Sequence, residues 1–277
     1  MQRSRWTIGA MAIAVAILTT GCTKLRSRDE LNQGVQAYKN SHYVDAVKHF
    51  RSAVELDPTN QNAQLYLATT YFSQWVPGAD SPENNRAEQA AKQEFQKVLD
   101  KDPQNKIALA SLAAMAYSKA GVGTQEEKDK ALEEAKKWNL RRIEADPRDS
   151  EAYYSLGVIA WAQTYPNIQT ARNQLRMKPD DPGPIKDKKV REELQQKYGK
   201  ALDEGMTDLQ KAIEIDKEND DAMTYLNLLL RKKADLDDDP EVAKADIAKA
   251  EDWANKSLDI KKIKAARPQN KQQQAGM

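Results

Sequence analysis

The sequence has a single cysteine and almost no net charge, and each shortage excludes a class of protein. Cys22 is the only cysteine among 277 residues, so the chain cannot form an internal disulfide. The formal charge is +1, from 43 basic and 42 acidic residues. A chain without excess positive charge has no general attraction for nucleic acid. We therefore expect neither a disulfide-stabilised domain nor a nucleic-acid-binding protein.

Patterns that indicate catalysis or metal binding are also missing. The sequence contains no Ser/His/Asp order and no HExxH, and the segment after Gly121 does not complete a phosphate-binding loop. The only histidines, His42 and His49, share a helix face with Asp45 but have no further converging ligand. The sequence predicts a protein that is not an enzyme and that binds no metal or cofactor.

The N-terminus contains one apolar run, Ile8 to Leu18, preceded by Arg3 and Arg5. A transmembrane helix needs about 20 apolar residues, and this run is shorter, so residues 1–21 are typical of a secretory signal. The Gly21-Cys22 pair that follows resembles the signal of bacterial lipoproteins, in which the cysteine is acylated and becomes the new N-terminus. Leu18 departs from that pattern, since it lies four residues before the cysteine, where three is usual. An uncleaved membrane anchor and an ordinary signal with a chance cysteine remain alternatives.

The lipoprotein resemblance implies a location and a short attachment. Cys22 would carry the lipid, and residues 22–28 would form a tether to the folded part. Removal of residues 1–21 takes away two arginines, which changes the formal charge from +1 to −1. Because Thr23 rather than Asp follows the cysteine, the sorting rule of enteric bacteria favours the outer membrane, with the protein facing the periplasm. We expect a lipid-anchored protein of the bacterial cell envelope.

A repeated pattern occupies most of the chain. Acidic runs end at an Asp, three times followed by proline, and a small or apolar pair follows about nine residues later. The runs end at Asp57-Pro58, Asp102-Pro103, Asp146-Pro147 and Asp216-Lys217, and the pairs are Leu67-Ala68, Leu112-Ala113, Leu156-Gly157 and Leu226-Asn227. An aromatic or aliphatic residue follows each pair after three or four positions, and this spacing predicts helices. Proline disfavours helix in the residue before it, so the Asp-Pro runs predict helix ends.

This layout resembles the tetratricopeptide repeat (TPR), a pair of helices with a period of 34 residues. The resemblance implies an all-α fold, a right-handed α-solenoid of about five TPR-like helix pairs over residues 29–259. Asn139 and Ala254 depart from the pattern, since they lie where a large residue is usual. Those two second helices are expected to be rotated or more loosely packed.

Insertions separate the two helices of the second, third and fourth pairs. The longest, residues 165–187, contains Pro166, Pro179, Pro182 and Pro184. Insertions in repeat proteins map to one face, often the binding face. The prolines favour an ordered arm, and a dispensable loop is the alternative. Residues 260–277 lack apolar periodicity, which predicts a disordered tail.

The TPR resemblance also implies a binding groove lined by the first helix of each pair. The residues predicted to face this groove are mostly aromatic: Tyr38, Phe72, Tyr117, Tyr154, Trp161 and Arg231. Aromatic rings provide large contact areas at small entropic cost, and an arginine pairs with a carboxylate. The same rings would also be explained by packing between helices, or by a groove covered by the long insertion.

Two functions from different classes follow from these features. The first is a membrane-anchored scaffold whose groove binds a protein partner of the cell envelope. The second is a carrier or sensor of a small apolar or glycan ligand in the same groove. The partner, the pathway and the oligomeric state are not encoded in any motif.

Overall fold

The computed structural model describes residues 22–178, 181 and 183–267, and these residues form ten α-helices and no strand. The predicted signal at residues 1–21, three residues of the long insertion and the end of the predicted tail, 268–277, lie outside the described residues. An all-α fold is therefore confirmed for the described part of the chain. The helices are α1 (22–39), α2 (Tyr43–Leu56), α3 (Gln61–Gln74), α4 (Pro82–Lys101), α5 (Lys106–Lys119), α6 (Gln125–Ala145), α7 (Ser150–Gln174), α8 (Lys188–Ile215), α9 (Asp220–Leu236) and α10 (Pro240–Ala266).

A recurring turn joins the helix pairs, and its chemistry depends on two side chains rather than on proline. In the fourth turn, Asp216 accepts a hydrogen bond at 2.9 Å from the backbone N–H of Glu218. Asn219 then caps α9 by accepting 2.8 Å from the N–H of Ala222. The turns after Asp57, Asp102 and Asp146 use the same two contacts. An N-cap of this type contributes about 1 kcal/mol, which explains why the turn persists where Lys217 replaces proline.

The chain divides into two compact units, with the boundary between Gly123 and Thr124. Unit 1 contains α1 to α5, and unit 2 contains α6 to α10. Within each unit, helices that follow one another along the chain pack together, as helix pairs do in repeat proteins. The boundary falls between α5 and α6, the two helices of the third predicted pair.

Unit 1 has a core built on Phe50. Phe50 of α2 is fully buried and packs with Ala46 of the same helix and Leu67 of α3. Gly34 of α1 lies against the same ring, and a Cβ there would approach it to 2.5 Å. Leu31 and Val35 of α1 complete the cluster. A small residue on one helix thus admits a large side chain from the next.

Unit 2 repeats this arrangement at two glycines. A Cβ at Gly157 of α7 would overlap the side chain of Leu209, and a Cβ at Gly205 of α8 would overlap Cβ of Ala160. The two helices therefore approach each other closely at both points. Leu209 and the neighbouring Leu229 of α9 are fully buried. The predicted alternation of small and large residues is what brings α7, α8 and α9 together.

Three predicted boundaries differ from the structure. Residues 22–28, expected as a tether, are helical. Ser27 among them is buried, and its hydroxyl donates a hydrogen bond of 2.8 Å to the carbonyl oxygen of Ala53. The long insertion begins at residue 175 rather than 165, since α7 continues through Pro166 to Gln174. The predicted tail is helical to Ala266, where Lys264 pairs with the buried Asp220.

The second helix of the third pair also differs from the looser helix expected at Asn139. Asn139 is 2% exposed and donates 3.0 Å to the carbonyl of Ala135. Its oxygen accepts 3.0 Å from Arg142, which in turn pairs at 3.0 Å with Asp149, the cap of α7. A buried hydrogen-bonded network replaces the large apolar side chain that the repeat usually places there.

Candidate functional site

The six residues predicted to face a groove divide between the two units. Tyr38, Phe72 and Tyr117 belong to unit 1, whereas Tyr154, Trp161 and Arg231 belong to unit 2. Each set is described within its own unit.

In unit 1, the rings mainly fill space between helices. Phe72 of α3 is half-buried and meets Phe95 of α4 edge to face, with ring centroids 6.4 Å apart. Tyr38 of α1 is also half-buried, and its hydroxyl lies 2.9 Å from Oγ of Ser73. Tyr117 is the most exposed of the three, at 39%. For Tyr38 and Phe72, the structure favours the packing alternative, because their contacts join α1 to α3 and α3 to α4.

In unit 2, the predicted rings form part of a continuous cluster. Trp161 stacks on Tyr165, with centroids 4.3 Å apart and planes at 20°. Tyr225 of α9 meets Trp161 edge to face at 6.5 Å and meets Tyr154 in the same way at 5.8 Å. We call these four residues the aromatic surface: Tyr154, Trp161, Tyr165 and Tyr225. Tyr165 remains 37% exposed, while Tyr154, Trp161 and Tyr225 also pack against the buried core of the unit.

Two members of the aromatic surface were not predicted from the sequence. Tyr165 is the first residue of the predicted insertion, although its position four residues after Trp161 on a helix would place the two rings together. Tyr225 has no such local signal. It contacts both predicted rings only because α9 packs beside α7.

Basic residues lie at the C-terminal part of α9. Arg231, the predicted partner of a carboxylate, is half-buried and donates 3.0 Å from Nε to the side-chain oxygen of Asn227. Its neighbour Lys232 is buried, and its ammonium lies 5.9 Å from the ring centroid of Tyr165. Lys232 also pairs at 2.6 Å with Asp235. The buried carboxylate of Asp235 thus holds the Lys232 ammonium close to the partly exposed ring of Tyr165.

Asp235 is the centre of a buried polar cluster that fixes the long insertion. Its carboxylate pairs with Arg172 of α7 as well as with Lys232, and Arg172 and Asp235 are each 3% exposed at the side chain. Arg172 also donates to two insertion carbonyls, at 2.9 Å to Lys178 and 2.7 Å to Asp181. The Asp235 carboxylate thus has two cationic partners, and Arg172 has two carbonyl acceptors besides it. The buried charges are therefore compensated.

The insertion therefore has an ordered attachment, as its prolines predicted. Ile185 is fully buried, and its N–H donates 2.8 Å to the carbonyl of Asp235. Gly183 lies so close to α9 that a Cβ there would overlap the carbonyl oxygen of Ala234. Arg191 donates 2.6 Å to the carbonyl of Ile185 from the first turn of α8. These contacts attach the described residues of the insertion to α8 and α9.

A second concave feature of unit 2 is a polar cleft between α6, α7 and α8. Its volume is about 430 Å³. One ion pair crosses it at one end, Lys136 to Glu204 at 2.9 Å. The hydrogen bond between them holds the pKa of Lys136 above its usual value and the pKa of Glu204 below it. Below this pair lies Asp208, whose pKa burial raises to about 6.

The described residues contain no group of three or more His, Cys, Asp or Glu side chains arranged to hold a metal ion. His49 instead lies 2.8 Å from the carboxylate of Glu30. Cys22, the predicted lipidation site, is exposed at the start of the described chain. Within 22–178, 181 and 183–267, no helix combines the length and apolar character that a membrane crossing requires.

Comparisons with known proteins give one family match and several similar structures. The family model of the plant-specific mitochondrial import receptor subunit TOM20 matches residues 29–136, fewer than half of the 277 residues. A comparison with curated proteins found no match.

The crystal structure of MamA protein is 15% identical, with a TM-score of 0.54 over 87% of this chain and 94% of that one. MamA residues 41 to the end, from Desulfovibrio magneticus, are 15% identical, with a TM-score of 0.50 over 83% and 96%. TTC0263, a thermophilic TPR protein in Thermus thermophilus, is 17% identical, with a TM-score of 0.44 over 87% and 97%. The chain has the helix-pair fold of TPR proteins.

Proposed function

We propose that this protein is a membrane-anchored TPR scaffold of the bacterial cell envelope, and that its aromatic surface binds a segment of a protein partner. The observation that supports the proposal is the contact of four aromatic rings from two neighbouring first helices, α7 and α9, with Tyr165 left partly exposed. Rings of this kind, rigid and partly desolvated, are the residues that contribute most to protein interfaces.

The aromatic surface and Arg231, on the same helix as Tyr225, would together suit a partner segment that carries an apolar or aromatic side chain and a carboxylate. The stacked Trp161 and Tyr165 offer an apolar contact that is already ordered, so little entropy is lost on binding. Arg231 lies on α9 and uses one nitrogen for Asn227, which leaves other guanidinium donors for a carboxylate. The apolar side chain supplies contact area, and the carboxylate supplies orientation.

The anchor in this proposal is Cys22. The apolar run before it and the Gly21-Cys22 pair resemble a lipoprotein signal, and the cysteine is exposed. The cations Lys24, Arg26 and Arg28 follow within one helix turn or two, where they add about 1 kcal/mol each at an anionic bilayer surface. An acyl chain combined with basic residues is a sufficient membrane attachment.

Site-specific photocrosslinking in intact cells tests the partner site. A crosslinking amino acid at position 165 should capture one dominant envelope protein. Binding of that protein, once purified, should fall at least tenfold for Trp161→Ala, because an interface aromatic of this size contributes more than about 1.4 kcal/mol. Tyr117→Ala is the control, since Tyr117 is an aromatic residue about as exposed as Tyr165 but belongs to unit 1. Equal loss for both variants, or for neither, would contradict the proposed surface.

The same variants distinguish a scaffold from a carrier. A carrier of a small apolar or glycan ligand should release that ligand in native mass spectrometry, and Trp161→Ala should empty it. A scaffold should show the mass of the chain alone.

The anchor is tested separately by metabolic labelling with a palmitate analogue. The native chain should incorporate the label and Cys22→Ser should not. Label that persists in the Cys22→Ser chain would rule out lipidation at this residue.

A further inference from the structure

The polar cleft of unit 2 has walls of opposite charge. Away from the Lys136–Glu204 pair, the wall on α6 presents carboxylates, the wall on α8 presents ammonium groups, and α7 between them presents side-chain amides. These lining residues are Asp129 and Glu133, Lys197 and Lys200, and Gln163 and Asn167, respectively. The volume of about 430 Å³ lies within the range of about 300–1,000 Å³ for small-ligand sites.

Apart from one ion pair, the opposite charges of the two walls interact at longer range: contact with Tyr198, and then the charge of Asp129, raise the pKa of Lys197. Glu133 accepts 2.8 Å from the amide of Gln163, and Asp129 accepts 2.8 Å from Gln125 on its own helix. Lys197 lies over the ring of Tyr198, with its ammonium 5.1 Å from the centroid. Among the ion pairs of the described residues, Lys136 to Glu204 joins α6 to α8, and it lies at one end of the cleft. Lys200 lies 3.6 Å from Glu204 on its own helix, with its side chain largely exposed. The remainder of the cleft is open between a negative and a positive wall.

We propose that this cleft binds a short zwitterionic peptide of two or three residues. Its ammonium group would lie against Asp129 and Glu133, and its carboxylate against Lys197 and Lys200. An anion alone would face the carboxylates of α6, and a cation alone would face the ammonium groups of α8. Only a ligand that carries both charges at separate ends is favoured by both walls.

The floor and the dimensions fit the same class of ligand. Side-chain amides both donate and accept hydrogen bonds, so Gln163 and Asn167 match the N–H and C=O groups of a peptide unit. An extended peptide of two or three residues spans about 7–11 Å, so its ammonium and carboxylate groups lie at separate ends. A single amino acid has both charges on one carbon and cannot separate them in this way.

The cleft is distinct from the aromatic surface. Gln163 and Asn167 lie on α7 between α6 and α8, whereas Trp161 and Tyr165 contact Tyr225 or Lys232 on α9. The peptide site is therefore independent of the proposed scaffold function, and either proposal stands if the other fails.

Calorimetric titration of the purified full-length protein with L-alanyl-L-alanine tests the proposal. The free dipeptide should bind saturably, with an affinity that falls as salt concentration rises, because both terminal contacts are between exposed charges. The blocked analogue, N-acetyl-L-alanyl-L-alanine amide, has the same backbone without terminal charges and should show no saturable binding. L-alanine should bind more weakly than the dipeptide.

Variants of each wall assign the binding to the cleft. Glu133→Gln and Lys200→Gln should each weaken the dipeptide affinity about tenfold, because each removes one charge-assisted contact and preserves side-chain size. Glu144→Gln on α6 and Lys189→Gln on α8 are exposed controls outside the cleft and should leave the affinity unchanged. Thermal unfolding by circular dichroism verifies that all four variants remain folded.

Three results would overturn the proposal. They are no saturable binding of the free dipeptide to the native protein, equal binding of the blocked analogue, or unchanged affinity in both wall variants.

Discussion

Asp208 shows how the environment of one side chain sets its contribution to stability. It lies on α8 below the Lys136–Glu204 pair, beside Leu156 and Ile159 of α7, and burial raises its pKa to about 6. The ordinary value is 3.8, so the folded protein holds this proton more tightly than the unfolded chain does. The free energy of unfolding therefore decreases as pH rises from about 4 to above 6.

Asp208→Asn should remove this dependence. At pH 7.5 the substitution should raise the free energy of unfolding by about 1–2 kcal/mol, after allowance for partial solvent screening, because no buried charge remains. Toward pH 4 the difference should shrink, since Asp208 is then neutral in the folded protein. Urea unfolding at both pH values measures the effect. Asp259→Asn, on the exposed side of α10, is the control and should not give the same increase at pH 7.5.

The repeat pattern predicts which aromatic residues lie on the same helix face. It does not always predict which rings are in contact. The repeat pattern predicts that Trp161 and Tyr154 both face the groove, and in the structure Tyr225 contacts both rings. The pattern also predicts that Phe72 faces the groove, yet its ring packs against the ring of Phe95. The repeat pattern places a residue on a helix face, whereas its neighbour depends on the rotation and spacing of the adjacent helix. That information is not local in the sequence.

The turn between helix pairs is the most regular element of the structure. Asp accepts from the backbone two residues later, and Asn or Asp caps the next helix three residues later. Three of these turns have proline after the first Asp, and the fourth has Lys217. Asp216 before it already has an extended backbone, with φ −121° and ψ 99°, which suits a residue that precedes proline.

Lys217→Pro should consequently stabilise the protein. Proline restricts the unfolded chain without changing the folded turn, so we expect a gain of about 0.4–1 kcal/mol in thermal or urea unfolding. Lys217→Ala separates the loss of the lysine from the effect of the ring and should change stability little. Destabilisation by proline would show that the fourth turn differs from the other three.

The close approach of α7 and α8 gives a second prediction for an element. Gly205→Ala places a methyl group in overlap with Cβ of Ala160 and 3.0 Å from Leu229, so the helices must separate. We expect a loss of about 1–3 kcal/mol in the free energy of unfolding.

Gly199→Ala on the same helix is the matched control. The nearest atoms there belong to the flexible side chain of Gln195, so the new methyl group can be accommodated. The higher helix propensity of alanine should then raise stability by up to about 1 kcal/mol. Opposite signs for the two variants would verify that contact between helices, rather than glycine content, decides the outcome.

The sequence pattern predicts the helix pairs, but it does not predict where several helices end. The spacing of apolar residues and the Asp-ended runs predicted the pairs that the structure contains. The ends of α1, α7 and α10 extend further because of contacts distant in sequence, such as Ser27 with Ala53 and Lys264 with Asp220. The sequence pattern predicts an insertion from residue 165, but α7 continues through Pro166 to Gln174.

The division of the chain into two units is the feature of the whole molecule that the repeat pattern did not predict. The repeats suggested one continuous stack of five pairs, and the boundary at Gly123 and Thr124 falls within the third. Each core cluster described above contains residues of one unit alone. In repeat proteins, stability depends on contacts between neighbouring repeats. A substitution that removes such a contact should therefore destabilise mainly the unit that contains it.

Arg172→Met should reveal this division. The substitution leaves the buried carboxylate of Asp235 with Lys232 as its remaining cation, at a cost of about 3–5 kcal/mol. Hydrogen exchange followed by mass spectrometry should accelerate in α7 to α9 and change little in residues 22–123. The exposed Arg176→Met is the control and should leave exchange unchanged. Equal acceleration in both units would show that they unfold as one.

Helix α1 begins at Cys22, so the proposed lipid would be attached directly to a helix. The five residue steps from Cys22 to the buried Ser27 advance about 7.5 Å as helix, against roughly 17 Å for an extended chain. An acylated Cys22 would thus hold α1 as a stiff stem at the bilayer surface. A partner in the same membrane would meet the protein by lateral diffusion in two dimensions, and its effective concentration would depend on the area of the membrane rather than on the volume of the periplasm.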